Sequence, residues 1–180
     1  MKIYVLGICG TFMGGLAQLA AEKGIKVSGC DENVYPPMDQ VLISNGIAID
    51  EGYNPKNLPK DIDLVVVGNV IARGNPMIEE ILNKGIDFIS GPEFLSKYLL
   101  AKRHVVAISG THGKTSVSSM VTKVLLENDV DCGYLIAGQA KDLDATASLS
   151  ISPVLILGML QSSQIRSACV PLPAPGGPNK

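Results

Sequence analysis

Gly110-Thr111-His112-Gly113-Lys114-Thr115 is the stretch of this 180-residue chain whose residue types and spacing can handle a nucleotide. Glycines at 110 and 113 let the backbone approach a polyanion, because a residue without a Cβ reaches positive φ freely. A helix starting there turns its amide N–H groups and the positive end of its dipole toward phosphates. Lys114 is spaced to reach the β- and γ-phosphates of ATP, and the Thr115 hydroxyl to ligate Mg²⁺. These two are the candidate catalytic residues, and Gly110, Thr111, His112, Gly113 and Ser116 complete the expected ATP loop. The strict phosphate-loop pattern would place glycine at position 108, where this chain has Ile108. The competing reading is a tight strand-to-helix turn that merely contains Gly-Lys-Thr. His112 either touches the nucleotide or faces solvent, and no catalytic role is assigned to it.

Such a loop must be held by a strand and a helix. Val105 to Ile108 reads as a buried strand, and Val117, Met120, Val121, Val124 and Leu125 stripe one face of the helix that follows. A second unit of the same kind opens the chain. Ile3 to Leu6 is a short apolar strand, followed by glycines at 7, 10 and 14 and a helix with Met13, Leu16, Ala17 and Ala20 on one face. The spacing G-x-x-G-x-x-x-G builds an anion site but is not the G-x-G-x-x-G of dinucleotide enzymes, so it points to phosphate rather than to a nicotinamide cofactor.

Val27 to Asp31 reads as the next strand, ending in an acid placed where such folds hold a ribose. Asp31 either contacts that ligand or only caps the turn into Glu32-Asn33. Leu64 to Val67 is a continuous apolar run, as expected of a central parallel strand covered on both faces. It runs into a polar loop containing Asn69, Arg73 and Asn75, at the strand end where open α/β sheets bind ligands. Arg73 either pairs with an anionic ligand there or is a solvated loop arginine. A short strand at Ile47-Ala48-Ile49 and a proline-punctuated loop from Asn54 to Lys60 precede the Leu64 to Val67 run; a helix from Pro76 to Lys84, a strand at Phe88-Ile89 and a helix from Gly91 to Leu100 complete five strands alternating with helices. The expected architecture is a doubly wound, Rossmann-like parallel sheet over residues 1–101, then the start of a phosphate-loop ATPase-type α/β unit over 102–152. Tyr134 to Gly138 reads as a strand of that unit.

Residues 151–180 break the pattern. They carry Arg166 and Lys180 as their only charges and five of the chain's 11 prolines, while all 17 acidic residues lie at or before Asp144. Val154 to Leu160 reads as a strand or a short helix, and the stretch from 153 onward as an atypical, unstructured tail. A net charge of −2 and the absence of Trp argue against nucleic-acid binding. Cys9, Cys30, Cys132 and Cys169 form no C-x-x-C pair, which suggests reduced thiols and no zinc site. No apolar run is long enough to span a membrane, and a cytoplasmic address is expected.

The motif Gly110-Thr-His-Gly-Lys-Thr115, with its missing first glycine, resembles the ATP loop of the Mur ligases, the ATP-dependent amide-forming enzymes of peptidoglycan metabolism. Leu6-Gly-Ile-Cys-Gly-Thr-Phe-Met-Gly-Gly-Leu16, Asp31-Glu-Asn-Val-Tyr-Pro-Pro-Met38 and Gly68-Asn-Val-Ile-Ala-Arg-Gly-Asn-Pro76 are similar to the recycling branch of that family. That branch joins a murein tripeptide to UDP-N-acetylmuramate. The resemblance covers residues 1 to 150. It implies that Gly7, Cys9, Gly10, Thr11, Phe12, Met13 and Gly14 bind the UDP diphosphate, and that Asp31, Asn69, Arg73 and Asn75 hold the rest of the UDP-sugar. It also implies ATP and Mg²⁺ at residues 110–116, with an acyl phosphate on the muramate carboxylate that the tripeptide amine attacks. Family members continue after the equivalent of Pro153 with an acidic, metal-holding segment, where this chain has Val154-Leu-Ile-Leu-Gly-Met-Leu160. The expectation is a truncated chain that binds nucleotides without completing the ligation alone. The alternatives are a relative that adds L-alanine to UDP-N-acetylmuramate, or a non-catalytic nucleotide-binding module.

Overall fold

Lys2–Leu6 forms β1, and its alternating side chains are buried on both sides: Ile3 and Val5 face one core, Tyr4 and Leu6 another. A strand covered on both faces is central by necessity. In the computed structural model β1 lies at the middle of a five-stranded sheet with β2 (Lys26–Asp31), β3 (Ala48–Glu51), β4 (Leu64–Val67) and β5 (Phe88–Ser90). The order is β3-β2-β1-β4-β5 and every pairing is parallel. Residues 1–101, 103–136, 143, 147–148 and 154–158 are described, the last five by their backbone pairing. The five expected strands are all present.

Helices cover both faces. On one lie α1 (Thr11–Glu22), α2 (Met38–Ser44) and α4 (Gly91–Phe94), the last continuing as a π turn over Leu95–Leu99. On the other, Met77, Ile78 and Ile81 of α3 (Pro76–Asn83) pack with Leu58 against Tyr4, Leu6 and Val65. The Tyr4 hydroxyl, fully buried, donates to Asp50 Oδ2 at 2.9 Å, as a buried polar group must find a partner. The loop expected from Asn54 to Lys60 contains a 3-10 turn at Pro55–Asn57, with the Asn54 side chain accepting the Lys56 amide at 3.1 Å.

A second sheet holds β6 (His104–Ala107), β7 (Gly133–Ile136), β8 (Ala147–Ser148) and β9 (Val154–Gly158) in the order β6-β9-β7-β8. β9 is parallel to both β6 and β7, whereas β8 runs antiparallel to β7. Three expectations change here. Val154–Gly158 is an interior strand of this sheet, so the irregular stretch does not begin at 153; residues 159–180, Ala137 and Gly138 lie outside those described. Among the described residues β6 is an edge strand, paired by β9 on one side, and Val106 and Ala107 are exposed. The helix α5 (Lys114–Glu127) buries Ser118, Ser119 and Thr122, while Val117, Met120 and Val124 face outward. Its serines enter the buried face because Ser118 and Ser119 donate to the Lys114 and Thr115 carbonyls at 2.7 Å, which satisfies their hydroxyls within the helix. Of the expected stripe, only Val121 and Leu125 pack on the small core of Cys132, Tyr134 and Ile136.

Residues 13–20 of α1 are buried on every side. Its small residues make that possible: a Cβ on Gly14 would overlap Met38 of α2, and one on Gly15 would overlap Leu135 of β7. The helix is therefore clasped between the first sheet, α2 and the second sheet.

Candidate functional site

The first glycine turn is built by its neighbours' carbonyls. Gly7, at φ +77°, donates its amide to the Cys30 carbonyl at 2.8 Å, and Ile8 donates to the same oxygen at 3.2 Å. Asp31 then clamps the turn: its Oδ2 accepts the Cys9 amide at 2.8 Å and its Oδ1 the Asn33 amide at 3.4 Å. The acid thus caps the turn into Glu32-Asn33 and also fixes the loop next door. The amides of Gly7, Ile8 and Cys9 are consequently committed to protein acceptors.

The donors left for an anion come from the helix itself. α1 begins at Thr11 with Gly10 as its N-cap, no side-chain cap and no acid in the first turn. The amides of Thr11, Phe12 and Met13 precede the first intrahelical bond, which Gly14 makes to the Gly10 carbonyl at 2.7 Å. These three N–H groups stand at the positive end of a helix of 12 residues, an arrangement that favours negative charge.

Loops from the carboxyl ends of β4 and β5 close round this turn. Val70, 84% exposed, comes within 3.9 Å of a Cβ placed on Gly7, and a Cβ on Gly91 would overlap Phe12 and Met13. Gly68 donates to the Leu6 carbonyl at 3.0 Å, and any Cβ on it would press on that same oxygen. Gly68 and Gly91 were not singled out from the sequence; the signal was there in their position at strand ends beside the first turn. The three expected polar contacts of the β4 loop fare differently. Asn75 is the N-cap of α3, its Oδ1 accepting the Met77 and Ile78 amides at 3.0 and 3.4 Å. Arg73 is exposed and pairs with Glu79 at 3.1 Å, which also accepts the Gly74 amide. Asn69 is exposed on the loop.

The thiols near the turn are held in the protonated form. Burial, reinforced by the Asp31 and Asp39 charges, pushes Cys9 up to about 11, and burial pushes Cys30 up to about 12. Both stay protonated at neutral pH.

The second glycine turn is framed more openly. Gly113 takes a left-handed conformation, φ +76°, as the N-cap of α5, and Gly110, Thr111, His112 and Gly113 are exposed. The Lys114 ammonium folds over the loop, donating to the carbonyls of Gly110 at 2.5 Å and Thr111 at 3.1 Å. Lys114 and Thr115 begin the helix side by side, with Ser116 exposed behind them. Among the described residues no group of three or more His, Cys, Asp or Glu could hold a metal ion, and no helix is long and apolar enough to cross a membrane.

A family profile described as "Mur ligase family, catalytic domain" matches residues 2–103, more than half of the chain. The chain belongs to the Mur ligase family. Within it, the chain is 43% identical over 157 residues to the UDP-N-acetylmuramate–L-alanyl-γ-D-glutamyl-meso-2,6-diaminoheptandioate ligase of Escherichia coli K12. It is 46% identical over 155 residues to the ligase of the same name from Haemophilus influenzae. These matches cover 87% and 86% of this chain but 34% of each relative, so the chain spans about a third of the curated relatives it matches. The solved ligase of this name from Neisseria meningitides superposes with a TM-score of 0.83 at 41% identity, over 87% of this chain and 51% of that one. A murein peptide ligase from Psychrobacter arcticus gives 0.80 at 38% identity, over 87% of this chain and 37% of that one.

Proposed function

We propose that this chain carries the UDP-sugar-binding and ATP-loop regions of a ligase that joins a murein tripeptide to UDP-N-acetylmuramate. Residues 1–101 form the Rossmann-like UDP-sugar unit, and the ATP unit starts at 102 and takes in the second sheet, including β9 at Val154–Gly158. The observation that supports this most is the 43–46% identity to ligases of that name. The Thr11–Met13 amides add a physical reason, since they offer a diphosphate a site with no acid in the helix's first turn.

In this reading ATP with Mg²⁺, when bound, supplies the phosphoryl group that activates the muramate carboxylate. The residues present fit part of that task. Lys114 is held beside the loop carbonyls, where its ammonium can exchange them for phosphate oxygens, and Thr115 offers one hydroxyl ligand at the helix start. The exposed Gly110–Gly113 backbone can reach a polyphosphate without a side chain intervening. Asp31 holds the Cys9 amide and so shapes the turn under the UDP diphosphate.

Thermal unfolding of the 180-residue chain tests this, since a ligand bound only by the folded state raises the midpoint. UDP-N-acetylmuramate should raise it, Mg-ATP should raise it separately, and Lys114→Ala should remove the second rise while keeping the first. A rise with NADH and none with UDP-N-acetylmuramate would overturn the reading.

A further inference from the structure

Six of the eleven large hydrophobic side chains exposed among the described residues fall between 106 and 130: Val106, Val117, Met120, Val124, Leu126 and Val130. Singly exposed apolar residues are ordinary, whereas a clustered set marks a surface that something covers. On α5 the cluster is ordered. Val117, Met120 and Val124, 47%, 66% and 57% exposed, recur at i, i+3 and i+7 and so form one stripe. Val121 and Leu125 of the same helix already pack on the core beneath it. Apolar residues therefore line two sides of α5, the pattern of a helix covered on both. The Lys123–Glu127 ion pair, at 3.9 Å, borders the stripe as a polar rim borders an apolar interface.

The sheet beneath has a matching gap. α5 packs on β9 and β7, and β6 lies on the far side of β9. Val105 packs against the core on the α1 side, so alternation turns Val106 to the α5 side, where it is exposed. Among the described residues β6 is paired by β9 alone, which leaves its second row of backbone N–H and C=O groups with no strand opposite. The stripe, Val106 and the open edge describe one missing layer: an apolar surface beside α5 and over β6, with a strand along the edge.

The relatives supply polypeptide to fill it. The Escherichia coli and Haemophilus influenzae ligases match this chain over 34% of their length, and the solved Neisseria meningitides ligase over 51% of its own. We propose that the outer stripe of α5 and the open edge of β6 are the docking surface for the polypeptide that these relatives carry outside the match, and that the surface accepts it even as a separate chain. This rests on the ligase reading above and adds the surface through which the two parts join.

The test is co-expression of the tagged 180-residue chain with the part of the Escherichia coli ligase outside the match. Size-exclusion chromatography should show the two chains eluting together, one to one. Mild hydrogen peroxide, read by mass spectrometry, should oxidise Met120 in the free chain but not in the complex, while Met1, 46% exposed, oxidises in both. The double variant Met120→Lys, Val124→Lys should unfold at the parent's midpoint when alone and lose the partner. A single chain joining residues 1–158 to the same Escherichia coli part decides the matter where the separate pieces do not meet. There the double substitution should lower the thermal midpoint by several degrees, against no change in the 180-residue chain. A 180-residue chain that pairs with itself through this face, co-elution that survives the double variant, or a joined chain as stable with the substitutions as without would each overturn the proposal. The UDP-sugar reading falls separately, if UDP-N-acetylmuramate leaves the parent's midpoint where it was.

Discussion

The two glycine turns share a strand-glycine-helix plan and differ in what the glycines are for. Around the first, Gly14, Gly29, Gly68 and Gly91 are spaces already filled: Met38, the Val5 carbonyl, the Leu6 carbonyl and Met13 occupy the positions where a Cβ would stand. Around the second, Gly113 has nothing within 4 Å of such a Cβ and is needed for its backbone angle alone. One turn is set in a packed core, and the other stands on an edge strand and a helix with an apolar outer face. Both turns hold a left-handed glycine, Gly7 at φ +77° and Gly113 at φ +76°, but only the first is ringed by glycines whose Cβ space a neighbour fills, and the sequence pattern does not show that difference.

The sharpest way to break this contrast is to add a methyl group at each. Gly29→Ala places a Cβ against the Val5 backbone oxygen, which cannot rotate away, and should cost about 3 kcal/mol of stability. Gly113→Ala meets no neighbour and should cost about 1 kcal/mol, the strain of a left-handed residue bearing a Cβ. Urea unfolding of the two variants measures the difference, and equal losses would erase the distinction.

Alkaline pH gives a second, smaller separation. Cys30, under the first turn, is held protonated by burial, with its thiol raised from 9.0 to about 12. The folded chain therefore keeps a proton that the unfolded chain releases, so the stability tied to it is complete below pH 9 and is lost as pH rises toward about 12. Urea midpoints followed across that window should fall, and Cys30→Ala should flatten part of the fall. The smallest effect belongs to the outer face of α5. Met120 is 66% exposed, so Met120→Lys should change stability by less than about 0.5 kcal/mol, the range for surface substitutions. A large loss would mean that the face is covered in solution.

Much of the first sheet was legible because its strands are apolar runs with glycine or polar ends. Leu64–Val67 reads as a strand covered on both faces, and Leu64, Val65 and Val66 are buried; Ile3–Leu6 reads as a short apolar strand and is one. The α5 face was misread because periodicity counts Val117, Met120 and Val124 as core. It cannot see that Ser118 and Ser119 satisfy their own hydroxyls on helix carbonyls and so pack inward. Asp31 was readable as a special acid, but its grip on Cys9, 22 residues away, depends on β1 and β2 pairing in register. The π turn at Leu95–Leu99 left no mark in a sequence that reads as ordinary helix.

The neighbouring glycines of α1 have one more consequence. Gly14 meets α2 and Gly15 meets β7, so a single helix is a wall shared by both sheets, with its first turn exposed to whatever occupies the opening loop. An occupant that shifted or stiffened this helix would alter the free energy of the second sheet, whose strand β6 leads into the loop before Lys114. By reciprocity, a ligand beside Lys114 would then change the affinity at the other end by the same factor.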